Sequence, residues 1–129
     1  MPQSTTERRT RRSDDPIKAL HYQLASVRAE MGLSAVVLVD DRGCLVAGAG
    51  AWPVCEELAA YAPLLSDPGL ASSAAVRSRL VELGGEAHVA PLDIDGAPAL
   101  LCAHGGGAPP GDRLLHAAAG CQRILARAA

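Results

Sequence analysis

The sequence predicts an α+β domain: a five-stranded antiparallel sheet flanked by helices, in the order α-β-β-α-β-β-β-α. Three observations predict it. Apolar spacing switches along the chain between the period of a helix and that of a strand. The tight-turn signals Asp40-Asp41-Arg42-Gly43 and Asp95-Gly96 each join two short apolar runs directly. Hairpins therefore come in runs interrupted by helices, which favours an antiparallel sheet over a doubly wound parallel one.

Residues 1–14 are polar, carry Arg8, Arg9, Arg11 and Arg12, and lack apolar periodicity, so they read as a disordered tail. A single domain is expected over 15–129. Asp15-Pro16 starts the first helix, with a capping carboxylate followed by a proline whose missing N–H costs nothing there. Ile17, Leu20, Leu24, Val27 and Met31 follow at steps of three and four, and Gly32 ends the stripe.

Ala35-Val36-Val37-Leu38-Val39 is continuously apolar and mostly β-branched, which suits a strand covered on both faces. After the turn at 40–43, Cys44 to Ala47 returns as its partner, and Gly48-Ala49-Gly50 is expected to break that strand. Pro53 opens a second helix with Val54, Leu58, Tyr61, Ala62 and Leu65 on its apolar positions, stopped by Ser66-Asp67-Pro68-Gly69. Glu56 and Glu57 are placed in its first turn, where the helix dipole favours negative charge.

Residues 70–83 are ambiguous. Ala71 to Ala75 has helix-forming composition, yet Arg79-Leu80-Val81-Glu82-Leu83 precedes Gly84-Gly85, a hairpin signal. A short helical or loop piece followed by a strand fits this pattern. The next strand covers Ala87 to Leu92, with a bulge expected at Pro91, where the alternation changes phase. Ala99 to Ala103 forms the last strand, His104 to Gly111 a loop, and Asp112 caps a closing helix with Leu114, Leu115, Ala118, Cys121, Ile124 and Leu125.

Composition excludes several functions. The 129 residues are 49% apolar but only 2% aromatic, with no Phe; Trp52, Tyr22 and Tyr61 are the entire aromatic stock. Such a chain cannot tile a stacking platform for single-stranded nucleic acid. A net charge of −2 argues against a phosphate-neutralising surface. Four scattered cysteines are too few for a disulfide scaffold, and no apolar run is long enough to span a bilayer. With no signal peptide visible after the arginines, the expected location is the cytoplasm.

No catalytic motif survives its context. His104-Gly105-Gly106-Gly107 resembles an esterase oxyanion loop, but the chain has no G-x-S-x-G elbow to supply a nucleophile. Gly48-x-Gly50 lacks the spacing of a dinucleotide fingerprint. Cys102-x-His104 and His116-x4-Cys121 match no common zinc spacing, and on a helix the latter pair point about 140° apart. Cys55 near a helix N-terminus would gain acidity, which Glu56 and Glu57 oppose. His21 and His88 have no carboxylate partner fixed by sequence. The expectation is a non-enzyme without catalytic, cofactor or metal residues.

The stretch Leu20–Ala126 resembles the Roadblock/LC7 family. The resemblance rests on "MGLSAVVLVDDRGCLVAGAG", the helix "CEELAAYAPLL", and "LVELGGEAHVAPLDIDGAPALLCAHGG" with the Ala-rich helix after it. It implies a sheet with the first and last helices on one face and the middle helix on the other, a profilin/GAF-like layout. It also implies that 79–83 is a strand. Members of that family dimerise through the middle helix and an edge strand, acting as non-catalytic regulatory or scaffold platforms, often with Ras-like small GTPases or in larger assemblies. Carried onto this chain, the interface comprises Leu58, Tyr61, Ala62 and Leu65, with Leu80 and Val81 on the edge; Trp52, with Tyr61, is an aromatic marker of the same surface. The same helix residues would also serve simply to cover the sheet. The alternative is a GAF-like small-ligand sensor, suggested by "VAPLDIDGAPALL", in which 70–83 would be helical and lie over a cavity.

Overall fold

The computed structural model describes residues 2–107 and 111–128, with side chains described for 16–107 and 111–126. Four helices and four strands follow in the order α1 Pro2–Met31, β1 Leu33–Val39, β2 Leu45–Gly50, α2 Trp52–Ser66, α3 Ala74–Gly84, β3 Ala87–Ile94, β4 Ala97–Gly105 and α4 Asp112–Ala128. A short 3-10 turn, Pro68–Leu70, joins α2 to the approach of α3. The strands form one antiparallel sheet in the order β2-β1-β4-β3. The sheet thus has four strands, not five.

The missing strand is α3. Ser73 caps it, its hydroxyl accepting from the Val76 N–H at 3.2 Å. Leu80 and Leu83, three residues apart, turn inward together while Val81 points to solvent. Gly84-Gly85 ends this helix instead of turning a hairpin, with Gly85 in a right-handed conformation.

The period-two pattern in β1 places Val36 and Leu38 on one face of the sheet and Ala35, Val37 and Val39 on the other. The first face is covered by α1 and α4, whose Leu20, Leu24, Val27, Leu114, Ala117, Ala118 and Cys121 pack on Leu38, Ala90 and Leu101. The second is covered by α2 through Cys55, Leu58, Ala59 and Ala62. The division of helices between the faces matches the expectation from sequence. No polar or charged side chain is buried among the described residues.

Several boundaries differ from expectation. The backbone of α1 is helical from Pro2, so Asp15-Pro16 does not start it and the segment expected as a disordered tail is helical; Pro16 lies inside, where it costs one helical hydrogen bond. Gly48-Ala49-Gly50 continues β2 instead of breaking it. The reason is close approach: a Cβ on Gly50, at φ +121°, would lie 2.6 Å from the Ser34 carbonyl oxygen. Pro91 makes no bulge, since β3 pairs with β4 in unbroken register from Ala87 to Ile94. It sits on the outermost strand, where a missing donor is tolerated. The irregularities fall instead at Leu38/Val39 and Leu33/Ala35. Asp95 and Gly96 both take positive φ, the conformation of a type I′ turn.

Candidate interaction surface

Pro53 in the first turn of α2 begins the helix, and Leu58, Ala59 and Ala62 then recur on its inner face. Leu58 and Ala62 are fully enclosed against the sheet. Tyr61 and Leu65 are half-buried, and Trp52 is 52% exposed at the N-terminal end. On α3, Leu80 is buried while Val81 is 79% exposed. The seven residues named from sequence therefore divide: Leu58 and Ala62 pack against the sheet, Leu80 is buried on α3, Tyr61 and Leu65 are half-buried, and Trp52 and Val81 are exposed. Leu70, 60% exposed in the 3-10 turn between these helices, is a further apolar side chain that the sequence reading passed over.

A charged clasp ties α3 to α2. The Arg79 guanidinium donates from two nitrogens to both oxygens of Glu57, with Nε to Oε2 at 3.2 Å, and from Nη1 to Glu82 at 2.9 Å. Arg79 holds the Glu57 carboxyl below its ordinary pKa, chiefly by this hydrogen bond. Glu57 follows the first turn of α2, so its partner is Arg79 and not the helix dipole. The Arg79/Glu82 spacing of three was the available signal for a helix here. The partnership with Glu57 spans 22 residues and has no local signature.

A second polar group lies at the end of the sheet. Ser34 donates its hydroxyl to the His104 carbonyl at 2.9 Å, and its Oγ lies 2.7 Å from His104 Nδ1; His104 Nε2 is 3.6 Å from Glu86. The first two glycines after His104 are explained by packing: a Cβ on Gly105 would sit 2.9 Å from the Ser34 nitrogen, and one on Gly106 would sit 3.1 Å from the Met31 carbonyl oxygen. His104 and Gly105 belong to the end of β4 and not to a loop, while 108–110 lie outside the described residues.

Cys102, Cys121 and His116, considered as ligands, do not converge. Cys102 is buried under α2, Cys121 is buried under α1 on the opposite face, and His116 is exposed. Burial pushes the Cys102 thiol up to about 12 and Cys121 up to about 11. Cys55 is wholly enclosed and its pKa is also raised by desolvation, the reverse of an activated nucleophile.

Element order, the four-stranded antiparallel sheet and the two-plus-one arrangement of its covering helices define a Roadblock/LC7-like fold. Among solved structures, the chain is similar to Myxococcus xanthus MglB, with a TM-score of 0.57 at 15% identity, covering 88% of this chain and 92% of that one. At this identity the likeness is one of fold. No family model matches the chain, and no curated protein matches it. Among the described residues, no helix is long and apolar enough to cross a membrane.

Proposed function

We propose that this chain is a non-catalytic, dimerising regulatory protein of Roadblock type, working in the cytoplasm with a small Ras-like GTPase or a larger signalling assembly. The observation that carries this reading is the fold shared with MglB over nearly the full length of both chains. Two features support it: Trp52 on α2, Leu70 in the 3-10 turn and Val81 on α3 expose large apolar side chains, and the Arg79–Glu57 clasp ties α3 to α2. Exposed aromatic and aliphatic anchors of this kind are characteristic of contact surfaces. The function would then be one of presentation, with no cofactor or metal required.

Light scattering at tens of micromolar should give a dimer mass, and a pull-down from native extract should recover a small GTPase. A monomer at that concentration counts against the dimer, and recovery without any GTPase counts against the partner class. The GAF-like alternative gains from the helical 74–84 segment, which it requires. It also requires a cavity beneath that helix. Of the clefts among the described residues, one of about 460 Å³ lies between α1 and α4 and another beside the β3–β4 turn. Mass spectrometry of the purified protein separates the two readings: a copurifying ligand favours the sensor, and none is expected of the Roadblock-type protein.

A further inference from the structure

The two helices that share a face of the sheet are unevenly spaced. At Gly120 they are in contact, since a Cβ there would lie 2.8 Å from Gln23 Nε2. They run antiparallel from that point, because Gly106, shortly before α4, packs on the Met31 carbonyl at the end of α1. Two turns along, between Met31 and Arg113, they leave a cleft of about 460 Å³. Gln23 closes one end of it, and its length along α1 to Met31 is about 12 Å. Val27 and Ala117 are buried and form its floor, so the core beneath stays sealed. The walls differ in charge. α4 supplies Arg113 and His116, three residues apart in its first two turns, where the helix dipole adds to the positive potential. α1 supplies Glu30. Among the described residues, Glu30 accepts a long bond from Ser26 at 3.4 Å and makes no ion pair with Arg113 or His116. An acid and a base that line one cleft without meeting leave room between them for a group that satisfies both.

We propose that this cleft binds a small amphipathic zwitterion, an α-amino acid with an aliphatic side chain. The Arg113 guanidinium grips the ligand's carboxylate from two nitrogens, and His116 adds a ring N–H. Glu30 takes the ammonium, and the side chain lies on Val27, Met31 and Ala117. Other ligand classes match the cleft less well. A nucleotide would set its phosphates against Glu30 and find no ring to stack on, since none of Trp52, Tyr22 and Tyr61 lines the cleft. A fatty acid brings nothing for Glu30. A partner helix needs a groove open at both ends, and this one stops where Gln23 meets Gly120. The cleft is open to solvent, so its ligand exchanges quickly and is lost on purification, unlike one held in an enclosed sensor pocket. It lies on the sheet face opposite α2, so the site does not rest on the dimeric reading above.

The probe is L-leucine, titrated into the full chain and followed by backbone amide NMR shifts. Saturable shifts are expected within 23–31 and 113–117, with a dissociation constant of roughly 1 mM or below. N-acetylleucine lacks the ammonium and leucinamide lacks the carboxylate, and each should bind at least about tenfold more weakly. Glu30→Gln and Arg113→Gln should weaken leucine binding by a similar factor. Both side chains are exposed, and circular dichroism confirms that each variant folds. Absence of saturable shifts up to about 20 mM, or saturation at residues away from the cleft, overturns the site. N-acetylleucine binding as tightly as leucine makes this an anion site and overturns the zwitterion. Leucinamide binding as tightly, or unchanged affinity in either variant, overturns the assignment of the two charges. None of these outcomes bears on the oligomeric state or on recovery of a GTPase, which test the Roadblock-type reading separately.

Discussion

The two faces of the sheet are built to different standards. On one, α1 and α4 lie side by side over Leu20, Leu24, Leu38, Leu101 and Leu114, and the layer is closed. On the other, α2 is the main cover, and its inner face is made of Cys55, Leu58, Ala59 and Ala62, small side chains apart from one leucine. Small residues let a helix approach a sheet closely but bury little area each. The first face holds the fold together. The second supports a surface, with Trp52 and Val81 projecting from it and the Arg79–Glu57 clasp fixing how α3 leans against α2.

Truncating leucines on the two faces gives the largest separation. Leu24→Ala should cost about 3 kcal/mol and Leu58→Ala about 2 kcal/mol, read by urea denaturation, because fewer large neighbours line the cavity under α2. Equal costs would mean that the two layers contribute alike. The double change Trp52→Ser with Val81→Ser should alter unfolding by no more than about 0.5 kcal/mol, while sedimentation equilibrium shows the dimer weakened about tenfold or more. An unchanged dimer would move the contact off the α2–α3 surface.

The smallest effect concerns the thiols. Cys55, Cys102 and Cys121 are enclosed, whereas Cys44 is exposed, so a thiol reagent at neutral pH should modify Cys44 rapidly and the others only on unfolding. Cys102 and Cys121 keep their protons more tightly in the folded state. Stability from this source is complete below the ordinary thiol range and is lost as pH rises through about 11 to about 12, which alkaline denaturation should show. Faster reaction at Cys55 than at Cys44 would reverse this picture.

The closed face was largely legible in the sequence. The Leu20–Leu24–Val27 stripe, the β-branched run at 35–39 and the Asp40–Gly43 turn each carry a local signal that agrees with the final packing. The α2–α3 side was less so. Five residues, Arg79 to Leu83, fit a strand as readily as a helical turn, and the deciding signal lay six residues earlier in the Ser73 cap. The clasp from Arg79 to Glu57 depends on tertiary placement alone. Likewise, the register of Pro91 became readable only with β3 known to be an edge. The scarcity of aromatics did direct attention to Trp52 and Tyr61, of which Trp52 stands clear of the core.

The central pair of strands, β1 and β4, joins distant parts of the chain, and α1 meets α4 across a still longer separation in sequence. Emerging from a ribosome, β1 could pair with β2 at once, but its second edge would stay unfilled until residues 97–105 had been made. The apolar stripe of α1 would have no helical neighbour until α4 followed. Closure of the larger core is thus a late, long-range event, governed by loop-closing entropy more than by local helix or hairpin formation. During synthesis, the most stable half of the molecule is the last to become stable.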